Sequence, residues 1–158
     1  MQLDDVDLAL LRLLVEEPRA GSREYARLLG IARGTVASRI ARLERAGTVT
    51  GYAAQVSPAG LGYGVEAFIH LHLAQGKLDD VTARLTEIPQ ILEAHSTTGD
   101  GDVLCRVVAE SNSGIEALVQ TLLAIPGVVR TRTEISLSQR VPYRVLPLLH
   151  QAARRADS

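Results

Sequence analysis

Two Ile-Pro pairs, Ile88-Pro89 and Ile125-Pro126, lie 37 residues apart in a chain of 158, and each closes the same kind of passage. Strand-like GVEAFIHLHLA and helical LDDVTARLTEI precede the first pair, and strand-like QILEAHSTT follows it. Around the second pair VLCRVVA, GIEALVQTLLAI and GVVRTRTEISL run in the same order. Strand, proline-stopped helix and strand make one βαβ unit, and two in succession give the βαββαβ order of a ferredoxin-like plait, with both helices on one side of an antiparallel four-stranded sheet. Along the first strand Ala67, Ile69, Leu71 and Leu73 share one face, while Phe68, His70, His72 and Ala74 share the other. Neither set is charged, so the face away from the helices is expected to be covered by another subunit, with Phe68, His70 and His72 at the oligomer interface.

The N-terminal part has a different period. In LDDVDLALLRLLVEE, Val6, Leu10, Leu13 and Leu14 follow the spacing of one buried helical face, with Asp4 as N-cap, Asp7 at N3 and Pro18 as the stop. Ser22 is placed to cap a short second helix that ends at Gly30, and a third helix is expected from about Arg33 to Ala46, stopping at Gly47. Helix, short turn and helix form a helix-turn-helix arrangement. On the third helix Val36, Ile40 and Leu43 fall on the inward side, leaving Gly34, Ser38, Ala41, Arg42 and Arg45 on the outward side.

Charge sharpens that reading. The chain carries a formal net charge of −1, yet between Arg23 and Arg45 there are six arginines against two glutamates. A basic patch on an otherwise acidic chain is the footprint of a polyanion-binding module, whereas a merely solvated helix face would balance its cations with i,i+4 glutamates. The expected DNA-binding residues are Arg33, Gly34, Thr35, Ser38, Arg39, Arg42 and Arg45. Arg33, Thr35 and Ser38 approach base edges, Arg42 and Arg45 reach phosphates, and Arg39 anchors helix packing or a phosphate at the rim.

Leu3-Asp4, Asp7, Leu10-Leu11, Leu14, Arg19, Glu24, Ala26, the Arg39-Ile40, Leu43-Glu44 and Gly47 signature, Gly51-Tyr52, Pro58, Leu61-Gly62 and the Gly99-Asp100-Gly101-Asp102 turn together resemble the Lrp/AsnC (leucine-responsive, or feast/famine) transcriptional regulators along nearly the whole chain. The resemblance implies an α+β chain: a winged helix-turn-helix over 1–50, a linker strand and hinge over 51–64, and over 65–158 the ligand-sensing and oligomerisation plait known as the RAM domain. It also implies double-stranded DNA as partner, homodimers that assemble into tetramers or octamers, and a small effector, commonly an amino acid. The expected effector residues are Thr97, Thr98, Gly99, Asp100, Gly101 and Asp102 in the turn, with Thr133. Glycine frees main-chain N–H groups for a carboxylate, and an aspartate receives an ammonium. The same Asp-Gly sequence is also a strong hairpin-turn signal. Three positions depart from the family pattern: Ala32 stands where a serine usually caps the third helix, Tyr25 where a leucine is usual, and Thr48 where an aliphatic residue is usual.

Other classes find little support. There is no P-loop, G-x-S-x-G or H-E-x-x-H pattern, so no enzyme activity and no cofactor are expected. His70, His72 and His95 lack thiol or carboxylate ligands at convincing spacing, and no metal is expected. The single cysteine, Cys105, reads as a small buried hydrophobe among Val103 and Val107. No run approaches the roughly 20 apolar residues of a membrane span, and MQLDDVD is acidic where a signal peptide is basic, so a cytoplasmic location is the expectation. Effector-responsive DNA binding competes with one other reading, a non-DNA-binding oligomeric metabolite sensor or interaction protein that keeps its helix-turn-helix as a packing module; the outward Arg42 and Arg45 favour the first.

Overall fold

The computed structural model describes residues 2–156 and divides into two compact units, Met1–Ala54 with Val141–Ser158, and Gln55–Arg140. The first unit holds α1 (Asp5–Glu16), α2 (Ser22–Leu29), α3 (Arg33–Arg45) and a C-terminal α6 (Leu146–Ala156). Asp4 caps α1 in a full capping box: its side chain accepts the Asp7 N–H at 2.8 Å, and the Asp7 side chain accepts the Asp4 N–H at 3.1 Å. The cap of α2 falls one residue earlier than expected. Gly21 is its extended N-cap, and Ser22 is already the first helical residue, with no side-chain cap bond. Gly30 closes α2 in the left-handed conformation (φ 64°), and α3 starts from Ala32 without a side-chain cap.

Leu10, Leu11, Tyr25, Ala26, Val36 and Leu43 form the core of this unit. The buried face of α1 differs from the expected one. Leu10 is on it, but Asp7, Leu8 and Leu11 are the other buried residues, while Val6, Leu13 and Leu14 are half-buried. Two elements widen the covered arc of α1: α6 packs on it and brings Leu149 against the core, and α3 covers Asp7 with Arg39 and Arg42. The compact unit of the plait ends at Arg140, earlier than the expected sensing domain over 65–158, and α6 packs with α1 of the helix-turn-helix. Tyr25, at the unusual position, is 3% exposed and donates its hydroxyl to the Glu17 carbonyl at 2.7 Å, which satisfies both its own polar end and an orphan carbonyl at the end of α1.

In the second unit β1 (Val65–Leu73), α4 (Leu78–Leu85), β2 (Ile91–Ser96), β3 (Val103–Ala109), α5 (Asn112–Leu123) and β4 (Val128–Ile135) follow the expected βαββαβ order. The sheet order is β2-β3-β1-β4, all antiparallel. Ala67, Ile69, Leu71, Val103, Cys105 and Val107 pack under Val81, Leu85, Ile115, Leu118 and Leu122 of the two helices. One expectation fails between the units: among the described residues 46–64 no strand forms, and the only regular element is a 3-10 turn at Ala59–Leu61. A strand exists only as one side of a ladder, and among the described residues none pairs with Thr48–Val56.

The second sheet face also corrects the sequence reading. Phe68, His70 and His72 do lie on it, half-buried, but their cross-strand neighbours are Arg106 and Glu134, Leu104 and Arg132, and Arg130. The face is therefore an ion-pair lattice with Phe68 at its centre. Arg106 joins Glu66 to Glu93, and Arg132 joins Asp100 (2.8 Å) to Glu134 (3.0 Å). The uncharged row Phe68, His70 and His72 concealed this, because the charges stand beside it: Glu66 one step earlier on β1, Glu93 on β2, Arg106 on β3, Arg130, Arg132 and Glu134 on β4, and Asp100 in the turn.

Candidate nucleic-acid interface and sensing turn

On α3 the inward residues Val36 and Leu43 are fully buried and Ile40 is half-buried, so the opposite side faces solvent. Arg33, Gly34, Thr35 and Ser38 are all exposed, and together they line the N-terminal half of the helix with small or donor-bearing groups. No acidic residue stands in the first turn of α3. The free N–H groups and positive dipole end of α3 therefore lie at the same exposed helix start as Arg33.

The six arginines do not share one role. Arg27 is held by Glu24 through contacts down to 2.6 Å. Arg39 is clamped between Asp4 and Asp7, each at 2.7 Å, and Arg42 donates through one terminal nitrogen to the other oxygen of Asp7. Arg45 bonds back to the Ala41 carbonyl at 3.2 Å. Among the described residues Arg23, Arg33 and Arg45 have no carboxylate partner. Arg42, expected to be a free phosphate contact, is instead tethered, although its side chain stays 39% exposed.

Asp7 is the residue of this surface whose contacts the sequence reading missed. In the sequence it was legible as the N3 member of a capping box and as one of the residues of the family resemblance, while its bonds to Arg39 and Arg42 depend on the packing of α1 against α3. Its carboxylate is fully buried. Burial pushes its pKa up, but the hydrogen bonds from Arg42, Arg39 and the Asp4 N–H outweigh that and hold it down at about 2.

In the second unit, residues 97–102 join β2 to β3 as a hairpin turn, closed by the Thr97 N–H on the Asp102 carbonyl at 3.0 Å and the Thr97 hydroxyl on the Gly101 carbonyl at 3.1 Å. Gly101 (φ 125°) passes so close to β1 that a Cβ there would sit 3.3 Å from the His70 Cβ. The two aspartates are less available than the sequence implied. Asp102 accepts the Leu73 N–H at 2.7 Å, docking the turn on the end of β1, and Asp100 is paired with Arg132. Thr97 and Asp102 border a cleft of about 370 Å³, completed by Leu73, Gly76, Lys77 and Ser96. Thr98, Gly99, Asp100 and Gly101 are not part of its wall, and Thr133 pairs with Ile69 on the helix-covered face. Lys77 at this cleft had no sequence signal; it precedes α4 and pairs with Asp80 at 2.9 Å.

A helix-turn-helix unit with an exposed basic helix, followed in the same chain by a ferredoxin-like plait, defines a DNA-binding regulator with a separate regulatory domain. Residues 3–44 match the AsnC-type helix-turn-helix domain, and residues 66–146 match the Lrp/AsnC ligand binding domain. The chain belongs to the Lrp/AsnC family of DNA-binding transcriptional regulators. It is 30% identical over 146 residues to the HTH-type transcriptional regulator FL11 of Pyrococcus horikoshii, covering 92% of this chain and 97% of that one. Among solved structures it is similar to AsnC of E. coli (TM-score 0.85, 27% identity, 93% of this chain and 100% of that one). It is equally similar to the transcriptional regulator NMB0573 of Neisseria meningitidis in its L-methionine complex (TM-score 0.85, 28% identity, 95% and 99%). No helix among the described residues is long and apolar enough to cross a membrane.

Proposed function

We propose that α3 is the helix that reads DNA, with Arg33, Gly34, Thr35 and Ser38 against base edges in the major groove and Arg42 and Arg45 along the phosphates, while Arg39 braces α3 against α1 at the rim. One observation carries this: the exposed N-terminal half of α3 has donors, no acid and a helix dipole directed outward, which is what a groove lined by acceptors and flanked by phosphates requires. The test is a gel-shift titration on the duplex upstream of the protein's own coding sequence, against a scrambled duplex. Arg33→Ala and Ser38→Ala should narrow the gap between the two duplexes. An unchanged gap removes α3 from the base-reading role.

The regulatory half of the proposal is that a free amino acid binds at the turn and that the protein acts as a homodimer or a higher assembly in the cytoplasm, without catalysing a reaction. The relative crystallised with L-methionine supports the amino acid. So does the chemistry of the cleft, where Asp102 and Lys77 offer the two opposite charges that a zwitterion needs and Leu73 offers an apolar wall. A thermal-shift screen of the twenty amino acids followed by calorimetry tests it. The best ligand should bind several-fold more weakly to Asp102→Ala while that variant stays folded. Equal binding places the ligand elsewhere. An effector that favours one assembly state should shift operator affinity in the same proportion.

A further inference from the structure

Asp7 is more deeply buried than a capping box requires. Capping residues at the first turn of a helix ordinarily remain in water, where a carboxylate costs nothing, whereas this one is fully buried and serves two helices. Its two cationic partners are held differently. Arg39 spends one terminal nitrogen on three carboxylate oxygens, two from Asp4 and one from Asp7, and its side chain is 23% exposed. Arg42 gives one nitrogen to Asp7 and has no other protein partner among the described residues; with its side chain 39% exposed, the rest of its five-donor fork is left without a protein acceptor. Arg39 is thus a strut between α1 and α3. Arg42 is a guanidinium pinned at one corner and presented at the others.

We propose that Asp7 is a positioning residue for DNA binding: it orders the Arg42 guanidinium before DNA arrives, so that its outward N–H groups meet a backbone phosphate without the cost of immobilising a long side chain in the complex. The proposal rests on the reading of α3 as the DNA helix. The physical basis is that a rotamer-rich side chain pays an ordering cost when it is fixed at an interface, and a contact already fixed in the free protein avoids it. The Asp7 carboxylate also offsets positive charge beside the phosphate, so the proposal requires the ordering gain to exceed that electrostatic cost.

The test uses the full chain, the duplex from upstream of its coding sequence, and affinity measured across a salt series for wild type, Asp7→Asn, Arg42→Ala and the double variant. Asp7→Asn keeps an acceptor oxygen and leaves Arg39 on Asp4. It is expected to weaken binding roughly fivefold, the size of one side chain's ordering cost, at an unchanged log–log salt slope. Arg42→Ala is expected to lower both affinity and slope, and adding Asp7→Asn to it should cost nothing further. A loss from Asp7→Asn that is the same with and without Arg42, or no loss at all, overturns the positioning role while leaving the DNA helix in place. No effect from Arg42→Ala removes Arg42 from the DNA surface and the proposal with it. If Asp7→Asn does not fold, the wild-type protein still decides: NMR of the free protein should show the Arg42 guanidinium with hindered rotation before DNA is added, and a freely averaging signal overturns the proposal.

Discussion

Asp7 and Arg42, 35 residues apart in the chain, meet as a fully buried carboxylate and a half-exposed guanidinium, and their contact joins the first helix of the DNA-binding unit to its third. Arg39 binds the other oxygen of the same carboxylate. Breaking one side of such a pair leaves a buried charge uncompensated, so it sets the tolerance of the unit to acid and to mutation.

The pKa of Asp7 is lowered from 3.8 to about 2 in the folded protein, so its stabilisation is fully present above the unfolded value and is lost as pH falls through the folded one. The difference corresponds to about 2 kcal/mol at neutral pH. Wild-type melting temperature should drop from about pH 4 towards pH 2 more steeply than that of Asp7→Asn. Parallel curves would show that Asp7 is not the group titrating.

Arg45→Ala should weaken binding to cognate and scrambled duplexes alike and lower the salt slope by about one, because Arg45 is exposed at the end of α3 and carries no carboxylate partner. Fluorescence anisotropy across a salt series measures both. A loss confined to the cognate duplex would instead make Arg45 a base contact.

Phe68 sits at the centre of the charged sheet face, flanked across the strands by Arg106 and Glu134. If that face is the subunit contact, Phe68→Asp should shift the protein from dimer or larger species to monomer in light scattering. A wild-type monomer at micromolar concentration would leave the face without a partner subunit.

Gly101→Ala should destabilise the plait by about 1–3 kcal/mol, since alanine at φ 125° is strained and its Cβ would press on His70. Urea denaturation reads this directly. An unchanged midpoint would mean that the turn relaxes away from β1.

Cys105 is fully buried mid-strand, and burial pushes its thiol up to about 11. A thiol reagent at neutral pH should leave it unmodified in the folded protein and titrate one thiol in denaturant. Rapid labelling of the native protein would show β3 opening.

Much of the architecture was legible locally. The repeated strand, helix, proline and strand passages locate β1 to β4 within a few residues, because hydrophobic period and proline act over single elements. The inward row Val36, Ile40 and Leu43 follows from helical spacing, so the outward residues of α3 follow too. The site is a different matter. Which of its arginines are free, and whether Asp100 and Asp102 can receive a ligand, depend on partners that sequence spacing does not relate.

The amino-acid sequence by itself determined the helix-turn-helix, the plait order and the candidate reading helix, each from patterns confined to one or two neighbouring elements, and the family from motifs spread in order along the chain. The tertiary structure alone decided that Asp7 holds Arg39 and Arg42, that Asp102 docks on Leu73, that β3 and β4 charge the face around Phe68, and that the C-terminal helix joins the DNA-binding unit. Each of these is a pairing between groups far apart in the chain. A carboxylate's partner is set by which element packs beside it, and that choice is made only when the whole unit closes on its core.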